Sequence, residues 1–464
     1  MLILALLLPF AAPLLAQQAL PNTDIETQIQ EPLRKNKMEA EVRKEAEEAR
    51  KREVSGKEPD VTYQQVLADP DNIELNFLYA RSQVKRGNLR SADATLERIL
   101  LINPNLPKVR LFYVVVLLRL DNLEEAQKEI DTLKKEEMSD VLRAELDGYA
   151  KEIRRQRART HFSAALGAGL DFDDNRNAAP ASAQSLSLDI PINLDRTSTR
   201  KTDVAKTMLA NVTATRELPY QIGHQIYVNA SYYRAEQTNM TTLNLQNYSI
   251  SAGALYKSAY GNITPSFEFN HLLLAETTYL RSRAVKLQFD RQMSPRFDLS
   301  AETAYARQIY NQTQVVPTGD QRTGDKIEGG VTVGYVLTSS MKINAGVTHV
   351  NQGAREKFDA YRRESFTVSD NWLVGRGQFL LTSLTGNYDR YERPEAAISV
   401  MRNRIDDTYR ARATYGFPME LIARPLASML WTFTYEYYQA LSSIKNYAYS
   451  NNKVSTMLTY QFGF

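Results

Sequence analysis

The chain has 464 residues, no cysteine, 26 tyrosines, 16 phenylalanines and a formal net charge of +3 at pH 7. Without cysteine, the sequence excludes a disulfide scaffold, a cysteine nucleophile and a cysteine-based zinc site. The nearly balanced charge gives no global field that argues for nucleic acid as a partner. The mean hydropathy of −0.43 is too polar for a helical membrane protein, whereas abundant tyrosine suits a transmembrane β-barrel.

The N-terminus carries a short apolar segment that is interrupted by Pro9 and Pro13. Its length and composition predict a secretory signal peptide over residues 1–16, cleaved after Ala16. The segment departs from the ideal pattern, because no Lys or Arg precedes it and Leu14 stands where a small residue is usual. Residues 17–59 follow, rich in Glu, Lys and Arg from about residue 30, and we interpret them as a charged linker or helical stem.

A repeat with a period of 34 residues follows the stem. Three pairs of identical residues recur at this spacing: Pro70 and Pro104, Tyr79 and Tyr113, and Ala92 and Ala126. This is the period of the tetratricopeptide repeat, in which two helices are joined by a tight turn and cross at a small residue. We therefore predict a tetratricopeptide domain over residues 60–158, with these six residues in structural positions. We expect the two tyrosines to be packing residues rather than ligand contacts.

From residue 159 the sequence changes to alternation of apolar and polar residues, typical of β-strands. At ~12 residues and ~3.3 Å per residue, a strand tilted by about 40° spans roughly 30 Å, enough for an outer membrane. The predicted fold is therefore a multidomain α+β chain, with helical repeats followed by a transmembrane antiparallel β-barrel of about 14 strands over 159–464. The predicted strands lie near 161–170, 205–216, 222–234, 244–257, 261–271, 279–292, 296–308, 325–337, 340–350, 363–374, 377–389, 404–416, 428–439 and 453–464.

Connection lengths alternate along this region. Outer-membrane barrels have short periplasmic turns and longer outer loops, so both ends of the barrel domain are expected in the periplasm, with an even number of strands. The segment 417–427 is longer than a usual periplasmic turn. The predicted long connections are 171–204, 235–243, 272–278, 309–324, 351–362, 390–403 and 440–452.

The last strand places Tyr460, Phe462 and Phe464 on one apolar face and small polar residues on the other. This pattern resembles the C-terminal signal by which outer-membrane proteins are recognised for assembly. It implies the barrel-assembly machinery, periplasmic chaperones and outer-membrane lipid as partners.

The sequence offers little for enzyme chemistry. Its four histidines have no metal-ligand spacing, and we expect neither catalysis nor a cofactor. Asp171, Asp173, Asn175 and Asn177 alternate at the start of the first predicted outer loop. Such oxygens suit either a Ca²⁺ site or Asx turns that end the first strand. We expect no metal there, and we interpret the motif as a contact with the pore or with a client.

Taken together, the apolar leader, the 34-residue repeats, the D-N-R-N-A-A-P segment at 174–180 and the barrel ending in Phe resemble the surface lipoprotein assembly modulator (Slam) family. The resemblance covers essentially the whole mature chain. It implies movement of particular lipoproteins, or of related secreted binding proteins, across the bacterial outer membrane to the cell surface. The repeats would engage the client or a chaperone in the periplasm, and the barrel would conduct or assist passage.

Two other hypotheses remain open from the residues. The first is a passive porin or polysaccharide-export barrel with a repeat scaffold, which should show lumen-facing charges of one sign. The strands instead carry mixed polar residues, such as Asn229, Ser231, Gln288, Asp290 and Arg291. The second is an outer-membrane hydrolase, which would need a His paired with a Ser or a carboxylate.

Overall fold

A computed structural model of the protein describes residues 61–136, 140–157, 159–196, 198–218 and 223–463. The predicted signal peptide over 1–16, the stem over 17–59 and Phe464 lie outside the described residues. The chain divides into two compact units, and the boundary between them falls between Arg159 and Thr160. The first unit contains helices and the second contains strands.

The helical unit contains six helices among its described residues. They are α1 (Tyr63–Ala68), α2 (Ile73–Lys85), α3 (Leu89–Ile102), α4 (Pro107–Arg119), α5 (Leu123–Leu133) and α6 (Asp140–Arg157). Helix α1 begins with a capping box, since the backbone N–H of Thr62 donates to Gln65 Oε1 at 2.8 Å. The side chain of Asn72 caps α2 by accepting from the N–H of Leu75 at 3.0 Å. None of the described helices is long and apolar enough to cross a membrane.

Residues that the 34-residue period relates occupy equivalent places in the helical unit. Ala92 and Ala126 are both fully buried where helices pack, and Tyr113 is buried while Tyr79 is half-buried. Gly87 and Asp121 both have positive φ, +80° and +59°, in the turns before α3 and α5. These turns match the predicted tight turns between paired helices. The assignment to the tetratricopeptide class stays a prediction.

The two repeated prolines also share an environment. The carbonyl oxygen of Pro70 accepts a hydrogen bond from Asn76 Nδ2 at 2.8 Å. The carbonyl oxygen of Pro104 accepts one from Arg110 at 2.7 Å, and Arg110 lies 34 residues after Asn76. In each repeat a buried side chain six residues later satisfies the proline carbonyl, which fixes the chain at the start of α2 or α4.

The second unit is a closed antiparallel barrel of 14 strands, in which the last strand, β16, pairs with the first, β1. All 14 predicted strands are present, with ends that differ by a few residues. A further two-stranded hairpin, β2–β3, lies inside the first long connection. The strands are β1 (Thr160–Asp173), β2 (Gln184–Ser187), β3 (Ile190–Asn193), β4 (Asp203–Glu217), β5 (Gln225–Gln237), β6 (Leu245–Ser258), β7 (Gly261–Leu274), β8 (Thr277–Ser294), β9 (Phe297–Tyr310), β10 (Gly324–Thr338), β11 (Met341–Gln352), β12 (Tyr361–Gly375), β13 (Gln378–Tyr391), β14 (Ile405–Pro418), β15 (Met429–Ser442) and β16 (Tyr449–Gly463).

The barrel wall has an apolar outer face and a polar inner face. In β16, Val454, Tyr460 and Phe462 are exposed on the outer face, as the alternation of the sequence predicts. Their neighbours Ser455 and Thr459 lie on the opposite, inner face. An apolar outside and a polar inside are what a barrel needs when hydrocarbon surrounds it.

Two sequence-based boundaries are corrected by the structure, and one long connection is described more closely. The predicted long connection 272–278 is a two-residue turn, because Ala275 and Glu276 both have positive φ, as in a type I′ hairpin. Asp171 and Asp173 belong to strand β1 rather than to the following connection, because both pair with β4 and β16. The segment 417–427 extends β14 to Pro418 and then forms two short 3₁₀ turns.

The two ends of the barrel differ. We call the end that carries the first long connection (174–202) the loop end, and the opposite end, with connections such as 259–260 and 295–296, the turn end. The loop end also carries the connections 311–323, 353–360, 392–404 and 443–448.

Candidate functional site

Sequence-predicted residues of the first outer loop lie at the loop end of the junction between β1 and β16, which we call the seam. The two strands pair over 11 positions, from Ser163 with Gly463 to Asp173 with Lys453. Alternation along β1 turns Asp171 and Asp173 toward the lumen, and both are buried. Buried carboxylates require hydrogen-bond partners or counter-charges.

The last strand supplies those partners. Ser455 Oγ donates to Asp171 at 2.5 Å, and Lys453 Nζ lies 2.7 Å from the same carboxylate. Asn451 Nδ2 donates to both oxygens of Asp173 at 3.1 Å. Each carboxylate of β1 is therefore held by a side chain about 280 residues away in sequence. These charge-assisted bonds cross the seam and hold its loop end closed.

Asp174 and Asn175 extend the same contacts beyond the strands. The N–H and Nδ2 of Asn452 both donate to the carboxylate of Asp174 at 2.8 Å. Asn175 Nδ2 donates to the carbonyl of Ser450 at 3.0 Å. The seam clamp, as we name it, consists of Asp171, Asp173, Asp174 and Asn175 with Ser450, Asn451, Asn452, Lys453 and Ser455.

Asn177 forms its hydrogen bonds within the connection 174–202, rather than with the last strand. Its Nδ2 donates to the carbonyl of Thr199 at 2.9 Å, and its Oδ1 accepts from the N–H of Lys201 at 2.9 Å. The N–H of Arg176 donates to the carbonyl of Lys201 at 2.7 Å. These bonds join the two ends of the connection 174–202 and close its base. The oxygens of the four predicted residues thus serve hydrogen bonds, and the described residues contain no cluster of three or more His, Asp or Glu suited to a metal ion.

The hairpin β2–β3 lies over two other connections of the loop end. Asp189 at its tip accepts from Ser399 Oγ at 2.5 Å and from the N–H of Val400 at 3.0 Å. In strand β2, the N–H of Leu186 donates to Asn446 Oδ1 at 2.6 Å. Leu186 also packs against Ile398, Ile444 and Tyr447. The hairpin thereby ties the connection that follows β1 to those before β14 and before β16.

An apolar cluster fills the loop end on the side of β4 to β9. Most of its members come from strands, whereas Leu243 comes from the 3₁₀ turn before β6, and Val315 and Val316 come from the connection 311–323. The rings of Tyr279 and Tyr310 meet edge to face with centroids 5.3 Å apart. We call these side chains the mouth cluster: Leu243, Leu245, Leu272, Leu274, Tyr279, Leu280, Val315 and Val316.

The opposite side of the loop end is packed by arginines, aspartates and tyrosines. Arg363 makes two parallel bonds of 2.7 Å to Asp389. The guanidinium of Arg404 lies 3.4 Å from the ring centroid of Tyr447 and 4.4 Å from that of Tyr391. Arg–carboxylate forks and cation–π stacks are strong where water is excluded. Packed side chains therefore occupy the loop end from both sides.

Toward the turn end the lumen wall changes in character. Lumen-facing side chains there are small and polar, partly exposed, and bonded along the wall, as between Asn229 and Thr213 at 2.7 Å. Charged side chains occur in pairs, with Lys342 Nζ 2.9 Å from Asp298 and Arg412 Nε 2.8 Å from Glu436. The wall is thus polar and charge-paired, rather than a ladder of one sign.

The sequence predicts one half of the seam clamp and not the other. Asp171, Asp173 and Asn175 are predicted site residues, whereas Asn451, Lys453 and Ser455 are not. The sequence does contain one indication of these partners. A closed barrel pairs its first strand with its last, and Lys453 is the first residue on the polar face of the predicted last strand. The register that brings them together is not visible in the sequence.

Comparison with known proteins identifies a matching family. Residues 162–462, more than half of the chain, match the family model described as "Surface lipoprotein assembly modifier". No curated protein matches the chain. Similar solved structures include OccK3 (OpdO) of Pseudomonas aeruginosa, with 11% identity over 66% of this chain and 96% of that chain, and a TM-score of 0.33. OccAB1 of Acinetobacter baumannii has 9% identity over 66% and 98%, with a TM-score of 0.36.

The family match spans nearly the whole barrel, from the third residue of β1 to the penultimate residue of β16. The apolar outer face and polar lumen place this barrel in an outer membrane. The resemblance predicted from the sequence is confirmed by the family match. The chain belongs to the surface lipoprotein assembly modifier family.

Proposed function

We propose that this protein exports specific surface lipoproteins, or related secreted proteins, through or along its barrel to the cell surface. The family assignment supports surface lipoprotein assembly in general. One observation carries the finer proposal: packed side chains occupy the loop end from both sides, whereas the polar wall toward the turn end is partly exposed. A barrel of this shape receives a client from one side and releases it only after the loop end rearranges.

The arrangement of the loop end supports a gate that opens as a unit. The hairpin β2–β3 joins three connections through Asp189 and Leu186, and the seam clamp joins the first and last strands. Because long loops of outer-membrane barrels face outward, this end would face the cell surface. Displacing the hairpin would therefore release several contacts at once.

The helical unit is the proposed client-binding element in the periplasm. Its described surface exposes apolar side chains at the end of α3, where Leu101 and Ile102 are 78% and 49% exposed. We propose that these two adjacent apolar side chains contact the client. Tyr79 and Tyr113 are packed in the unit, so we assign them no client contact. Periplasmic chaperones and the barrel-assembly machinery remain proposed partners, and the mechanism requires no catalytic residue.

The experiment is a display assay in intact cells. The full chain is co-expressed with several candidate lipoproteins, and surface exposure of each is read by protease shaving. The proposal expects one client, or a few related ones, to become exposed only when the protein is present. A deletion of residues 60–157 should leave a folded barrel and abolish display.

Two results would count against the proposal. Normal display by the truncated protein would remove the client-binding role of the helical unit. A second contrary result is passage of small sugars or ions through the wild-type barrel in liposomes without display of any client, which would favour a passive porin. Heat-dependent gel mobility of the barrel serves as the folding control for each variant.

A further inference from the structure

The outward face of strand β8 changes from charged to apolar near the loop end. Arg281 and Arg283 are exposed on this face, and the next outward residues, Val285 and Leu287, are 58% and 47% exposed. Because alternate residues share a face, all four point away from the lumen. The guanidinium groups therefore lie at the loop-end border of the apolar band, where lipid headgroups meet hydrocarbon.

One of these arginines has another arginine as its cross-strand neighbour. Arg283 is directly opposite Arg307 of β9, a like-charge pair that is unfavourable on its own. Arg307 is partly neutralised, because its Nη1 lies 3.0 Å from Asp325 of β10. Arg281 and Arg283 form no ion pair with any residue that the structure describes. His271 stands opposite Arg281 on the other side.

The same arrangement recurs four strands away. Arg362 of β12 lies directly opposite Arg390 of β13, again on the outward face near the loop end. Arg390 Nη1 lies 2.9 Å from Asp407 of β14, and Arg362 has no ion pair among the described residues. Strands β8 to β10 and strands β12 to β14 thus each carry a cross-strand arginine pair with a single carboxylate, on the outward face near the loop end. An excess cation remains in each set.

We infer that Arg281, Arg283 and Arg307 form a binding site for the headgroup phosphate of an outer-leaflet lipid. A phosphate oxyanion placed between Arg283 and Arg307 removes their repulsion and accepts bidentate bonds from planar guanidinium groups. The acyl chains of the same lipid would lie along Val285 and Leu287. A phosphorylated glycolipid supplies both the charge and the chains at this depth. The site lies outside the lumen, and it is independent of client export.

Lipid binding to the purified full-length protein in neutral detergent micelles tests this site. The probe is an acylated, bis-phosphorylated glucosamine disaccharide, compared with its dephosphorylated form by native mass spectrometry. Wild type should bind the phosphorylated form about tenfold more tightly, since a charge-assisted hydrogen bond contributes about this factor. The double variant R281Q/R283Q should lose that preference. The variant D325N, which removes the competing carboxylate, should strengthen binding.

Arg291 provides the matched control. It is an exposed outward arginine on the same strand, β8, but it lies toward the turn end, opposite Leu299. The variant R291Q should keep the binding of the wild type. All variants should retain the heat-dependent gel mobility of a folded barrel, because each substituted side chain is exposed or at the rim.

Three outcomes would overturn the inference. The first is equal affinity for the phosphorylated and dephosphorylated lipids. The second is an equal loss of binding in R291Q and in R281Q/R283Q, which would mean general charge attraction. The third is full displacement of the lipid by inorganic phosphate, which would identify a free-anion site instead of a lipid site.

Discussion

Lys453 of the last strand lies 2.7 Å from Asp171 of the first strand, and both side chains face the lumen near the loop end. The pair closes the seam of the barrel together with Ser455, Asn451 and Asp173. Removing one partner leaves a buried, uncompensated charge. The loop end of the seam is therefore held by polar contacts, in addition to the backbone ladder.

Loss of the Asp171 carboxylate should destabilise the barrel. We expect D171N to lower the free energy of unfolding by about 3 kcal/mol, because the ammonium of Lys453 then remains buried without its counter-charge. Urea unfolding of the full chain, followed by tryptophan fluorescence, measures the change. The double variant D171N/K453M should recover most of it.

A surface pair provides the control for this measurement. Glu364 forms an ion pair with His349 at 2.6 Å, and both side chains are more than half exposed. E364Q should therefore cost less than about 1 kcal/mol. Equal losses in D171N and E364Q would contradict a special role for the seam clamp.

The seam clamp should also weaken in acid. Burial alone would raise the pKa of Asp174, but hydrogen bonds from Asn452 and the ion pair with Arg200 outweigh burial and hold the pKa below its ordinary value of 3.8. A carboxyl with a lowered folded pKa stabilises the fold above its unfolded pKa, and it loses that contribution as pH falls through the folded value. Limited proteolysis within 174–202 should therefore increase below about pH 3.8, and D174N should be cleaved readily at neutral pH as well. Identical cleavage of wild type and D174N at neutral pH would contradict this account.

Substitutions in the two equivalent turns of the helical unit should change its stability in opposite directions. Asp121 has a φ of +59°, which a glycine adopts without steric cost, so D121G should stabilise the helices by about 0.5–1 kcal/mol. Gly87 has a φ of +80°, and G87A should destabilise them by about 1 kcal/mol. Helical ellipticity of the full chain during heating measures both. The two shifts should have opposite signs, and shifts of the same sign would show that the turns are not equivalent.

The mouth cluster should control leakage of small solutes. Leu272 faces the lumen and is 1% exposed within the cluster, so L272S should loosen the packing and admit sugars or ions. Liposome swelling with reconstituted protein measures this leak. L255S is the matched control, because Leu255 also faces the lumen but lies near the turn end. A leak in L255S as large as that in L272S would place the barrier elsewhere.

The strands could be predicted because each face of a barrel meets a different solvent. In β16, apolar and polar residues alternate from Val454 to Phe462, because one face contacts hydrocarbon and the other faces the polar lumen. This pattern predicts the strand without knowledge of its partner strands. The two-residue turn at Ala275 and Glu276 was missed, since neither residue type signals positive φ. The amino-acid composition of this segment does not reveal the turn either.

The candidate site was harder to predict than the fold. Asp171 and Asp173 were found because carboxylates at alternate positions are conspicuous, but their contacts depend on a register set over 14 strands. The hairpin β2–β3 has only four residues in each strand, and its position is fixed by Asp189 and Leu186 bonding to distant connections. Such tertiary contacts leave no local pattern in the sequence.

The most direct test of the account is a reversible lock on the loop end. The chain has no cysteine, so the double variant D189C/S399C carries only one thiol pair, placed where Ser399 Oγ now donates to Asp189 at 2.5 Å. Client display is measured by protease shaving with the pair oxidised and then reduced, beside the two single-cysteine variants. Oxidation should reduce display about tenfold or more and reduction should restore it, because the hairpin must leave its place for the client to pass. Display that is unchanged in the oxidised protein, with the disulfide verified by mass spectrometry, would contradict release of the client through a loop end opened by the hairpin.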